Sequence, residues 1–160
     1  MGRILGLAAS KYANLYAVVT ESYASETRGG ESRSDVIIAS SMYEAPYMKV
    51  LDPDIAVFMY PYRLEYYKSL LKPHTTIVLD EEYVNTSAFR GYRVWGARFS
   101  EIAEKNLNTR RVANMVVLGR ILREISLVSI DHVKKALEDL LPGSWLQINI
   151  KALELGYSLS

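Results

Sequence analysis

Ile55-Ala56-Val57-Phe58-Met59 is an unbroken apolar run of strand length, entered through Asp52-Pro53-Asp54 and left through Tyr60-Pro61. Apolar side chains on both sides of a pleated strand leave no face for water, so the run reads as a central strand buried on both faces, as in a parallel sheet. Pro61 opens a helix that carries Leu64, Tyr67 and Leu71 at helical spacing. It stops at Lys72-Pro73, because the proline ring disfavours helix in the residue before it. Thr75-Thr76-Ile77-Val78-Leu79 is the next buried strand, and Asp80-Glu81-Glu82 falls at its carboxyl end, where open α/β sheets often bind ligands. Three acids there fit a solvated turn, the commoner case, or a magnesium site.

Downstream, Arg93 to Phe99 reads as an edge strand, and Ser100 as the cap of a short helix through Asn106. A stronger helix runs from Arg110 to Ile125, with Val112, Met115, Leu118, Leu122 and Ile125 on one stripe. Asn114 and Gly119 interrupt it. Glycine in a helix costs roughly 1 kcal/mol relative to alanine, so Gly119 is expected to permit close approach of another backbone. Ser129 caps the following helix, whose buried face is Val133, Leu137 and Leu140, and Pro142-Gly143 ends it. Trp145 to Tyr157 is a last packing helix.

Upstream, Met1 to Tyr12 reads as a helix and Leu15 to Thr20 and Asp35 to Ala39 as strands. Between the two strands lies a polar loop of about a dozen residues, a length that usually has a task. At its centre Arg28 is followed by Gly29 and Gly30. A fixed cation beside backbone that exposes its N–H groups can hold an anion or an acidic partner. Equally, the glycines make only a tight turn and Arg28 pairs with Glu26 or Glu31. The order of elements is that of a single α/β domain over residues 1–160: three α/β/α layers around a mixed, mostly parallel sheet. In such a domain a buried strand precedes the first helix, so the first strand is expected to be missing. Its neighbours would then expose unpaired backbone, and the truncated chain would tend to self-associate.

Composition narrows the chemistry. The 160 residues are 49% hydrophobic and carry a formal net charge of +1, enough for one domain with a core and no basic field for nucleic acid or an anionic membrane. Cysteine is absent, which removes thiolate nucleophiles, disulfides and cysteine-ligated zinc or iron–sulfur clusters from this sequence. No apolar run approaches a membrane span of roughly 18 residues, and the start lacks the pattern of a signal peptide, so the chain reads as cytoplasmic. One glutamine, many tyrosines and plentiful ion-pairing residues lean toward a heat-adapted source. His74 and His132 have no ligand-spaced partner, and no nucleophile elbow, phosphate loop or dinucleotide fingerprint is present. Of the twelve tyrosines, Tyr60, Tyr62, Tyr66 and Tyr67 form a cluster suited to a protein interface.

Four stretches read together carry a resemblance. Residues 22–38 (Ser-Tyr-Ala-Ser-Glu-Thr-Arg-Gly-Gly-Glu-Ser-Arg-Ser-Asp-Val-Ile-Ile), 53–57 (Pro-Asp-Ile-Ala-Val) and 102–104 (Ile-Ala-Glu) with 111–119 (Arg-Val-Ala-Asn-Met-Val-Val-Leu-Gly) resemble the gamma subunit of 2-oxoacid:ferredoxin oxidoreductases. The ending Asn149 to Tyr157 matches as well, so the similarity covers nearly the whole chain. Arg28-Gly29-Gly30-Glu31-Ser32 looks closer to the 2-oxoglutarate and broad-specificity archaeal types than to the pyruvate type, where the second glycine is commonly alanine.

The resemblance implies a subunit of an enzyme that oxidatively decarboxylates a 2-oxoacid to acyl-coenzyme A and reduces ferredoxin. It implies no catalytic residue, metal or cofactor on this chain. Thiamine diphosphate, magnesium and iron–sulfur clusters are expected on alpha, beta and ferredoxin-like delta partner subunits, and coenzyme A is a substrate of the complex. The loop residues Ser22, Tyr23, Glu26, Arg28, Gly29, Gly30 and Ser32 would then meet coenzyme A or a partner subunit. The family's opening strand and Gly-x-Gly-Gly-Gln-Gly loop are not in this sequence. Two other readings stand beside it: an indolepyruvate-type small subunit, and a free-standing small-molecule-binding α/β module.

Overall fold

The computed structural model describes residues 1–23, 32–44 and 48–159. They group into two compact units, Met1–Val50 with Leu122–Ile150, and Leu51–Ile121 with Lys151–Ser160.

In the first unit, helix α1 (Gly2–Leu7) runs on into a π-helical turn, Ala8–Tyr12. It ends at Asn14, whose φ of 55° turns the chain into strand β1 (Tyr16–Tyr23). Strand β2 (Ser32–Ala39) returns antiparallel in continuous register, from Tyr16 opposite Ala39 to Tyr23 opposite Ser32. Each strand runs three residues beyond its apolar stretch, into the segment read as loop. Val19 and Val36 face α1. Helix α5 (Ile130–Leu140) packs on α1 and the π turn, burying Val133, Ala136 and Leu137, while Ala8 and Ala9 are buried on the other side. Ser129 caps α5 as expected: its Oγ accepts from His132 N–H at 3.2 Å, and His132 Nδ1 accepts from Ser129 N–H at 3.4 Å. His132 therefore completes a capping box.

In the second unit, β3 (Ile55–Phe58), β4 (Thr76–Asp80) and β5 (Arg93–Ala97) form a parallel sheet in the order β3-β4-β5. The strands thus make two sheets among the described residues, one antiparallel pair and one parallel trio flanked by helices. The centre of the trio is β4, not the 55–59 run. Ile77, Val78 and Leu79 are all fully buried, whereas β3 lies at an edge and is mostly half-buried. An unbroken apolar run reports burial of two faces; it says nothing of neighbours along the strand's edges.

Alternate residues of the sheet, Phe58, Ile77 and Leu79, form a core with Val84 and Phe89, against which Leu64, Tyr67 and Leu71 pack. Helix α2 (Leu64–Lys68) starts later than Pro61 because Arg63 takes a left-handed conformation, φ 47°. Helix α3 (Phe99–Leu107) follows β5. A short 3-10 turn, Arg110–Val112, leads into α4 (Ala113–Glu124), and the part of α6 (Gly143–Ser158) from Lys151 onward belongs to this unit.

Two glycines set the distance between α4 and α6 in this unit. A Cβ on Gly119 would overlap the Leu153 carbonyl oxygen and lie 2.7 Å from Tyr157 N. A Cβ on Gly156 would overlap the Val116 carbonyl oxygen and lie 2.6 Å from its carbon. The helices meet backbone to backbone at both points, and only residues without a side chain fit there. Asn114, in the first turn of α4, is half-buried.

Candidate functional site

The loop singled out in the sequence is carried by the β1–β2 ribbon. Near α1 the ribbon is half-buried, but Glu21, Ser22 and Tyr23 at the end of β1 and Ser32 at the start of β2 are exposed. Tyr23, 68% exposed, donates its hydroxyl to Glu21 Oε2 at 3.1 Å. One step back, Arg33 grips Asp35 with two parallel bonds of 2.7 and 2.8 Å, and Asp35 Oδ2 also accepts from Val50 N–H at 3.3 Å. The bidentate pair lies within β2 and fixes the Arg33 side chain along the strand. The ribbon brings Ser22, Tyr23 and Ser32 together at one end, with Tyr23 opposite Ser32. Glu26, Arg28, Gly29 and Gly30 lie outside the described residues.

The acids at the carboxyl end of β4 part ways. Asp80 is fully buried: Oδ1 accepts from Glu82 N–H at 3.1 Å and Oδ2 from Ser100 N–H at 2.8 Å. It therefore serves as the cap of α3, and Ser100 contributes its backbone N–H where its side chain was expected. The Glu81 carboxylate lies against Gly96. Glu82 pairs with Arg110, which also reaches Glu104 Oε2 with Nε at 2.7 Å and donates to the Tyr83 hydroxyl at 2.9 Å. Glu104, then Glu82 and Tyr83, push the Arg110 pKa above its already high ordinary value. Tyr60 stacks on Tyr83 with ring centroids 4.5 Å apart, and burial followed by the Tyr83 neighbour raises its phenol pKa.

With Asp80 engaged by two amides and Glu82 by a guanidinium, the three acids do not converge. Among the described residues no group of three His, Asp or Glu side chains is placed to hold a metal ion. His74 Nε2 lies 3.1 Å from Asp52 Oδ1. Sequence reasoning missed a third cluster: Lys11 Nζ and Tyr12 Oη both donate to Asp139 Oδ2, at 2.8 and 2.6 Å. No local signal links residues so far apart. No helix among the described residues is long and apolar enough to cross a membrane.

A parallel three-stranded sheet flanked by helices places this chain among α/β folds. The fold is that of the keto/oxoacid ferredoxin oxidoreductase gamma subunit from Geobacter sulfurreducens, with a TM-score of 0.76 over 98% of this chain and 86% of that one at 24% identity. It also matches 27% of a longer chain of 2-oxoglutarate:ferredoxin oxidoreductase from Magnetococcus marinus, whose structure has 2-oxoglutarate, coenzyme A and succinyl-CoA bound, with a TM-score of 0.75 at 21% identity.

The model of the pyruvate ferredoxin/flavodoxin oxidoreductase family matches residues 1–159, and the chain belongs to that family. A curated relative is 2-oxoglutarate synthase subunit KorC of Methanocaldococcus jannaschii, 35% identical over 161 residues, which span 99% of this chain and 85% of that protein.

Proposed function

We propose that this chain is the gamma subunit of a 2-oxoglutarate-type 2-oxoacid:ferredoxin oxidoreductase, and that residues 1–160 act in it as one gamma-type domain with a structural role. The complex would decarboxylate the 2-oxoacid oxidatively, form the acyl-coenzyme A and reduce ferredoxin. The observation that carries this reading is the 35% identity to a 2-oxoglutarate synthase subunit over nearly the whole chain. Within the complex, alpha, beta and ferredoxin-like delta subunits would hold thiamine diphosphate, magnesium and the iron–sulfur clusters. On this chain Asp80 is held by two backbone N–H groups, and one oxygen of Glu82 pairs with Arg110.

The part assigned to this chain is docking. The β1–β2 ribbon ends in exposed Ser22, Tyr23 and Ser32, which favours presentation of Glu26, Arg28, Gly29 and Gly30 to a partner subunit or to coenzyme A. A guanidinium beside glycine amides suits phosphate oxygens or a carboxylate.

The test is isolation of the tagged chain from its native cells, with the eluate assayed for dye reduction that requires both 2-oxoglutarate and coenzyme A. Large partner subunits and activity are the expected result, with 2-oxoglutarate turned over faster than pyruvate or aryl pyruvates. A chain that elutes alone and inactive overturns the assignment. In the same complex Arg28→Ala should weaken partner retention or raise the KM for coenzyme A. If it alters neither, the loop has no docking role.

A further inference from the structure

We propose that Met42 and Met48 form a surface oxidation site, each taking one oxygen atom from a hydroperoxide, and that the change leaves the fold intact. The sequence holds five methionines and no cysteine, so peroxide meets no thiolate here and the thioether sulfurs are its nucleophiles. The five are not equivalent. Met42 is 55% exposed and Met48 74%, Met1 and Met59 are half-buried, and Met115 in α4 is 1% exposed. Oxidation follows access to the sulfur, so exposure puts Met42 and Met48 first and Met115 last.

Both exposed methionines stand beside fixed backbone. Met42 opens a 3-10 turn, Met42–Glu44, that follows β2. Glu44 closes the turn: its Oε2 accepts from Ser40 N–H at 3.1 Å and from Ser40 Oγ at 2.7 Å. Met48 lies two residues before Val50, whose N–H donates to Asp35 Oδ2. The exposure of the pair therefore belongs to chain that is anchored on either side, and Tyr43, next to Met42, is 87% exposed as well.

In the reaction a sulfur lone pair attacks one peroxide oxygen, an S–O bond forms and the O–O bond breaks. The departing hydroxide takes the proton of the hydroxyl left on sulfur, so the products are a sulfoxide and water. Sulfur gives up a pair of electrons and the peroxide gains it. The sulfoxide oxygen is a polar acceptor. At Met42 and Met48 it meets water, whereas at Met115 it would sit unsatisfied in apolar packing. Oxidation of the exposed pair thus makes an apolar stretch of surface polar, and sulfoxide reduction reverses it.

The experiment treats the folded full chain with hydrogen peroxide and follows each methionine over time by peptide mass mapping. Met42 and Met48 should each gain one oxygen at a rate at least about tenfold above that of Met115, which reacts only when α4 opens. The chain oxidised at this pair should keep the parent's melting temperature and leave a hydrophobic-interaction column earlier. Treatment with both epimer-specific methionine sulfoxide reductases should restore mass and retention together. Met42→Leu combined with Met48→Leu keeps apolar side chains of similar volume, and its retention should not shift under the same peroxide treatment. Met115 reacting as fast as the exposed pair overturns the proposal, as does resistance of Met42 and Met48 to peroxide that oxidises free methionine. A fall in melting temperature with only that pair oxidised, or an equal retention shift in the double leucine variant, would place the change in the core and overturn it too.

Discussion

Asp80 is a carboxylate with no exposure at all, held by the N–H groups of Glu82 and Ser100. A buried charge is tolerable only when such donors replace its water, and here the exchange also satisfies an amide in the first turn of α3. Replacing it with alanine strands the buried Ser100 donor and the part-buried Glu82 donor, and a buried unsatisfied group costs about 1–3 kcal/mol. Asp80→Ala should therefore lower the urea midpoint by an amount in that range with little change in slope, and Asp80→Asn, which turns one acceptor into a donor facing an N–H, should recover only part of it. An alanine variant as stable as the parent would remove the capping role. The sequence marks Asp80 as a candidate ligand because its place at a strand's carboxyl end is visible locally. The donor that decides its role is Ser100, twenty residues away.

At the level of elements, the α4–α6 contact is the most demanding. Alanine normally favours a helix over glycine by about 1 kcal/mol, so Gly156→Ala has an intrinsic gain. Against it stands overlap with the Val116 carbonyl, which no rotamer can relieve; overpacking of this sort costs typically 1–3 kcal/mol. The clash outweighs the propensity, and Gly156→Ala and Gly119→Ala should each melt several degrees below the parent. The double variant should lose less than the two losses added, since the first alanine already separates the backbones. A calorimetric scan showing additive losses would mean that the contacts are independent. Gly119 was legible because a glycine interrupts an otherwise good helix former; its partner Gly156 was not, because it sits in a final helix whose pattern needs no explanation. Stripes at helical spacing also located α4, α5 and α6. The ribbon strands were read too short, since Glu21, Ser22, Arg33 and Ser34 pair in a ladder with no buried face to announce it.

Over the whole molecule, several carboxylates have their pKa values pulled down. Hydrogen bonds from Lys11 and then Tyr12 lower Asp139, one from Lys105 lowers Glu101, and the Ser40 hydroxyl and amide lower Glu44. In the unfolded chain these partners disperse and each acid returns to the ordinary carboxylate range. A folded pKa below the unfolded one means that the ionised acid favours the fold. That contribution is complete above the ordinary range and is lost as the pH falls through the lowered folded values. The melting temperature should therefore decline on acidification through and below the ordinary carboxylate range. Asp139→Asn separates one share of the decline: at neutral pH and low salt it should melt below the parent, and the difference should shrink toward zero in acid, where the parent has lost the same charge. Added salt should narrow the neutral-pH gap, because Lys11 is exposed and screening reaches the pair. A gap between the two proteins that stays constant from neutral to acid pH would assign the loss to packing of the Asp139 side chain rather than to its charge. The link between the π turn and α5 would then be steric.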